Sequence, residues 1–246
     1  MRLYYLTLLL FLFPFLGYTQ QINLLKYKMI TCFSDTNKRV AHSYDMYFNQ
    51  TESIVKAMNT QSIGRDTVRI KKVEEGKVIF YKNLNTNLLI ANERAFNQKV
   101  ILKDVVENID WKIAKETKKI GEFKCQKAET DFRGRHYTAW FAPEIPINNG
   151  PWKLQGLPGL ILEASDDKKQ VSFVFEALYM PVKTDIKIEP IVADEKTKIV
   201  TYSEFTVLFQ KNLDSFVKMS NTDPETMKHN GSIKVDVNSI EIFPEK

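Results

Sequence analysis

The 246 residues carry 43% hydrophobic and 26% charged side chains and a formal net charge of +5. That is the balance of a chain that folds around a core, with no window biased enough for a disordered or low-complexity tract. So mild a basic excess points to solvation and excludes a nucleic-acid reader, because Arg69, Lys71 and Lys72 alternate with apolar neighbours as on a wet strand face.

The chain opens with Arg2, an apolar run from Leu3 to Leu16, and then Gly17, Tyr18 and Thr19. This is the order of a cleavable signal peptide, ending at about Gln20. A bilayer-spanning helix needs roughly 20 apolar residues, and Pro14 and Gly17 interrupt the run before that. No cysteine stands at the end of the leader for a lipid anchor. The expectation is a protein that is exported, periplasmic or secreted, and not membrane-spanning, with residues 21–246 as a single β-rich domain. Export also removes nucleic acid as a partner. Cys32 and Cys125 are the only thiols; in an oxidising compartment they either form a disulfide or serve as two buried small hydrophobes.

Strand-like text begins at once. Leu24 to Phe33 and Val40 to Phe48 are rich in aromatic and β-branched residues with partial period-two alternation. Thr67 to Val73, the turn Glu74-Glu75-Gly76 and Val78 to Tyr81 predict a hairpin. Leu88 to Ala91, Val100 to Val105 and Ile109 to Ala114 continue the pattern. Phe123 to Phe132 and Tyr137 to Phe141, joined through Arg133-Gly134-Arg135, predict another hairpin. Leu160 to Ala164 and Val171 to Tyr179 flank a polar turn over 166–169. Thr201 with Glu204 spells a capping box, and Phe205, Leu208, Phe209, Leu213, Phe216 and Val217 fall on one face of an amphipathic helix of about four turns. Ile233 to Val237 and Ile240 to Phe243 suggest a last hairpin or edge strand. The fold class is mainly β: an antiparallel curved sheet, sandwich or open half-barrel with the one C-terminal helix packed on it.

The least generic stretch runs from Ile120 to Glu163. Pro143, Pro146 and Pro151 each fix φ and hold the preceding residue extended, which predicts an ordered, non-helical loop over 142–152. It enters Gly156-Leu157-Pro158-Gly159-Leu160-Ile161, where Pro158 and Gly159 suit the central positions of a type II turn with Gly159 at positive φ. A loop this apolar is either buried against the sheet or offered to a ligand. Trp140, Phe141, Trp152, Leu157, Pro158 and Gly159, with Arg133 and Arg135 beside them, are the candidate binding residues.

The hexapeptide GLPGLI at 156–161, with AWFAPEIPI and GPWKLQ before it and GEFKCQKA and FRGR further upstream, resembles the GLPGLI proteins, the Porph_ging type, found in Bacteroidetes. The resemblance implies an exported β-rich protein of uncharacterised function and supplies no catalytic residue.

No catalytic centre or cofactor site is recognisable from the residues themselves. His42, His136 and His229 lie far apart, with no pair spaced for a metal, and no serine sits in a nucleophile elbow. Lys124 and Lys127 flank Cys125 and would lower a thiol pKa, but adjacent side chains on a strand point to opposite faces; Glu163 with Asp166 and Asp167 reads as a strand end and its polar turn, ahead of a cation site or carboxylate pair. The reading is a non-catalytic binding or partner module for an envelope protein; the alternatives are a half-barrel carrier of a lipid or other hydrophobic ligand, and an enzyme with an unrecognised site.

Overall fold

The computed structural model describes residues 21–33, 38–63, 68–72, 77–106 and 108–222. The leader and the segments Ile233 to Val237 and Ile240 to Phe243 lie outside the described residues. Thirteen strands form one sheet, with the order β13-β7-β6-β5-β3-β2-β1-β12-β11-β10-β9-β8, and β4 pairs with β3 beside this path. The strands are β1 (Asn23–Phe33), β2 (Lys38–Phe48), β3 (Glu52–Ile63), β4 (Val68–Lys72), β5 (Val78–Asn83), β6 (Leu88–Ala95), β7 (Gln98–Val105), β8 (Lys112–Ile120), β9 (Phe123–Phe132), β10 (Arg135–Ala142), β11 (Leu160–Asp166), β12 (Val171–Tyr179) and β13 (Lys198–Thr201). Every ladder is antiparallel except that of β13 with β7. The sheet is open, ending at β8 and β13, and is not split into a sandwich. It consists of two meanders, β1 to β7 and β8 to β12, joined where β1 pairs with β12.

Alternation decides which face is the core. Leu25, Tyr27, Met46, Phe48, Val55, Phe80, Leu102, Tyr137, Phe141, Leu162 and Phe173 line one inner face and belong to a single buried cluster. Two elements cover that face. The first is α1 (Tyr202–Thr222), longer than the four turns expected. Phe205 and Leu213 are buried on it, and Phe209 and Phe216 pack against Phe96 with ring centroids 6.2 and 5.2 Å apart. Its start is the expected capping box: the Thr201 amide donates to Glu204 Oε2 at 2.8 Å, and the Glu204 amide donates to Thr201 Oγ1 at 3.3 Å.

The second cover is the loop 143–159. Ile145, Ile147, Trp152, Leu154 and Leu157 are all buried in the cluster. Its polar groups are met by the strands beneath, as buried backbone requires. Lys82 Nζ donates to the Gly150 carbonyl at 2.7 Å, Asn149 Nδ2 to Ser53 Oγ at 3.0 Å, and the Trp111 indole N–H to the Gln155 carbonyl at 2.8 Å. The glycines of the motif act differently from the type II expectation. Gly156 takes the positive φ, 92°, whereas Gly159 does not, and its amide closes a tight turn onto the Leu157 carbonyl at 2.8 Å. Gly159 is required by contact, because a β-carbon there would stand 2.3 Å from the Ala142 carbonyl oxygen.

Residues 180–197 carry the chain from β12 to β13, a passage of seven strand spacings or roughly 34 Å, which an extended strap of this length spans. Val182, Thr184, Ile186 and Ile188 are half-buried and alternate with exposed neighbours. Ile54 and Tyr81 alternate away from the core face yet are buried.

Two expectations are corrected by pairing, and one open alternative is decided. The expected turn Glu74-Glu75-Gly76 lies outside the described residues, and the segments on either side of it, β4 and β5, pair with β3 and not with each other. The strand expected over Ile109 to Ala114 is displaced to Lys112–Ile120. Cys32 and Cys125 are free. Three strands separate β1 from β9, and Cys32 lies beside Gln170 while Cys125 lies at the other end of its strand, opposite Lys118. Four strand spacings, roughly 19 Å along the sheet, exceed the ~7 Å that a bridge tolerates between Cα atoms.

Candidate functional site

The hairpin of β9 and β10 turns through Arg133 and Gly134, both at positive φ, 50° and 77°. Two successive left-handed residues make a type I′ turn, for which Asn-Gly or Gly-Gly is the unstrained choice. An arginine in the first position is thus not dictated by the turn. Its side chain leaves the hairpin, and Nη2 donates to both oxygens of Asp104 on β7, at 3.2 and 3.0 Å. The guanidinium lies 3.5 Å from the ring centre of Tyr202, the first residue of α1, and 5.5 Å from that of Phe132.

Lys153 reaches the same carboxylate from the loop, with Nζ 2.9 Å from Asp104 Oδ2 and 5.0 Å from the Tyr202 ring centre. Lys153 is 1% exposed and Asp104 4%. One buried carboxylate therefore ties the hairpin turn, the loop and β7 together, and it faces two cations. Above it opens a cleft of about 610 Å³ lined by Lys103, Asp131, Phe132, Arg133, Tyr202 and Ser203 among others. Two aromatic faces, cationic donors and an exposed carboxylate at its rim suit a ligand or peptide with both apolar and polar groups. The Thr201 hydroxyl is engaged by the helix cap, 2.9 Å from Glu204 Oε2.

The other expected binding residues do not assemble. Phe141, Trp152 and Leu157 are buried at 1, 3 and 1% exposure. Trp152 packs among Phe132, Tyr137 and Phe173. Pro158 is exposed at the tip of its turn, and Gly159 is buried. Trp140 alternates to the opposite side of β10 from Phe141, where the Lys118 ammonium sits 4.6 Å over its ring and 2.6 Å from Glu163. Arg135 is buried and holds the β11–β12 turn through Asp166 Oδ2 and Gln170 Oε1, each at 2.8 Å. Of the eight candidates, Arg133 is the one that lines the cleft.

The titratable groups are dispersed. His136 is exposed, with Nδ1 2.8 Å from Asp131 Oδ1 across the ladder. Cys125 is buried, and burial, with Glu163 nearby, pushes its thiol up to about 11. Asp166 accepts the Val171 amide as well as Arg135. Among the described residues no three His, Cys, Asp or Glu side chains gather to hold a metal ion, and no helix is long and apolar enough to cross a membrane. Asp104 and Tyr202 escaped the sequence reading because they meet Arg133 only through long-range pairing, as did Lys103 at the cleft wall; Lys153, a single cation in an apolar loop, carried the one local signal.

The hairpin turn, the loop and the strand leaving it are contiguous in sequence, and they coincide with a known sequence pattern. Residues 133–163 match the Porph_ging family. That family is described as proteins of unknown function, and its match begins at Arg133 and contains Lys153. The Porph_ging segment thus supplies both cations that bind Asp104, and it includes the GLPGLI hexapeptide. No curated protein matches the chain. Among solved structures it is similar to PNGF-II in its P21 and C2 crystals, at 12 and 14% identity and TM-scores of 0.48 and 0.47. Each alignment covers 78% of this chain and 33% of the other, so this chain spans about a third of those relatives' length.

Proposed function

We propose that this is an exported, non-catalytic binding module that engages an envelope component through the cleft over Asp104. The observation that carries the reading is Arg133. It occupies a left-handed position that asparagine or glycine would fill with less strain, and such departures concentrate where a side chain is needed for binding. Its guanidinium is oriented by a buried carboxylate and a stacked tyrosine before any ligand arrives, which lowers the ordering cost of binding. Export rests on the leader-like residues Met1 to about Gln20. The carrier alternative has less support, because the loop 143–159 occupies the face that a hydrophobic ligand would need.

The test places a photo-crosslinking residue at Ser203 on the cleft rim and, as a control, at Lys168 in the β11–β12 turn, in cells of the source organism. One envelope component captured from position 203 and not from 168 is the expected result. Equal capture at both positions, or none from 203, would sink the proposal.

A further inference from the structure

A second cavity, of about 360 Å³, lies at the other end of β7, beyond the loop and the cleft. It is lined by Ala57, Lys77, Ile79, Asn92, Arg94, Lys99, Val100, Asp194 and Thr197. Ala57 and Val100 form its buried floor, and the turn at 194–197 at the end of the strap closes one side.

Its charge arrangement is mildly unfavourable to the fold, because the cations, though exposed, crowd one another. Arg94 and Lys99 are direct partners in the β6–β7 register, and like charges placed opposite each other across a ladder repel. Lys77 adds a third cation. The single acid, Asp194, is already committed: it accepts the Lys196 amide at 3.0 Å and the Thr197 hydroxyl at 2.6 Å. These bonds, with Lys99 a lesser contributor, hold its carboxyl below the usual range. Arg94 donates one bond, to the Asn97 carbonyl at 3.1 Å. Three cations therefore surround a walled space with one carboxylate among them.

We infer that this cavity binds a small ligand through a multivalent oxyanion of the phosphate class. A planar guanidinium offers a fork of donors that matches two phosphate oxygens, and flanking ammonium groups add point charges. Occupancy would turn the Arg94–Lys99 repulsion into joint attraction. The phosphoryl group can belong to a free solute or to a lipid headgroup.

The experiment compares the wild-type protein with R94Q/K99Q and with K112Q/K119Q, which removes equal charge from the distant strand β8. Titration calorimetry and melting curves are recorded with inorganic pyrophosphate. Binding to vesicles of phosphatidic acid is measured against phosphatidylcholine. Wild type and K112Q/K119Q should bind alike, and R94Q/K99Q at least about tenfold more weakly. Without ligand, R94Q/K99Q should melt no lower than wild type, since a repulsion has been removed. Binding of pyrophosphate assigns a free solute, and binding of phosphatidic acid alone assigns a headgroup. Equal weakening in both double variants, or no binding by wild type to either probe, would overturn the inference.

Discussion

Gly159 stands where an added β-carbon would meet backbone at 2.3 Å, and a carbonyl in a strand cannot swing aside as a side-chain tip can. Gly159→Val should therefore cost at least about 1 kcal/mol and up to about 3, read as a lowered midpoint in thermal unfolding. A melting curve identical to wild type would show that the loop and β10 do not approach as described. Asp104 pairs with two cations, Arg133 and Lys153, the second of them fully buried. Asp104→Asn takes one charged partner out of a buried pair and should cost about 3–5 kcal/mol. Glu163→Gln breaks a pair whose lysine is 38% exposed, where the loss should be below about 1 kcal/mol. Urea midpoints of the two variants rank them directly. Lys82 is buried against the Gly150 carbonyl, and burial lowers its pKa from 10.5 to about 7. Between those values the unfolded chain holds a proton that the folded chain lacks, so this group's contribution to stability rises with pH from about 7 to 10.5. Lys82→Met should remove that rise, measured as the difference in urea stability between pH 7.5 and 9.5. Equal slopes in wild type and variant would refute the assignment.

At the scale of elements, the edge strand β8 shows how a free ladder is kept from pairing. It carries Lys112, Lys115, Lys118 and Lys119, and its register with β9 breaks between Ile113 and Thr117. Lysines and a bulge are both devices against edge-to-edge association. The double change Lys115→Val with Lys119→Val should raise the apparent mass in light scattering at high concentration, whereas an unchanged mass would show that the bulge suffices. The same polarity explains why this strand was misplaced in the sequence: an edge strand wet on several sides has little alternation to read. Strand β3 was missed for a related reason, since its second half, from Lys56 to Ser62, is mostly polar although the strand lies mid-sheet. The hairpin around Arg133-Gly134 and the capped helix were legible because each is announced by residues three or four apart. The loop's apolar character foretold burial, but not that Gly159 serves contact and Gly156 the turn.

For the whole molecule, the antiparallel, mainly β class was readable from spacing, while strand order was not, because pairing between distant segments leaves no local trace. The cleft shares that limit: Arg133 is visible in the turn, but Asp104 and Tyr202 reach it only through the order of strands. The free state of Cys32 and Cys125 follows from the same order. Thermal midpoints with and without a reducing agent should coincide, and a lower midpoint on reduction would reveal a bond that this arrangement of strands forbids. The pairing of Leu24 with Tyr179 has a consequence for how the chain comes together. Until residue 179 has been synthesised, β1 has a neighbour on one side only, so the first meander must wait with half of the interior unfinished. The two meanders share one buried interior, and neither holds a complete one alone. Cut between β7 and β8, the chain would become two mutually dependent fragments, each acting as the template on which the other closes.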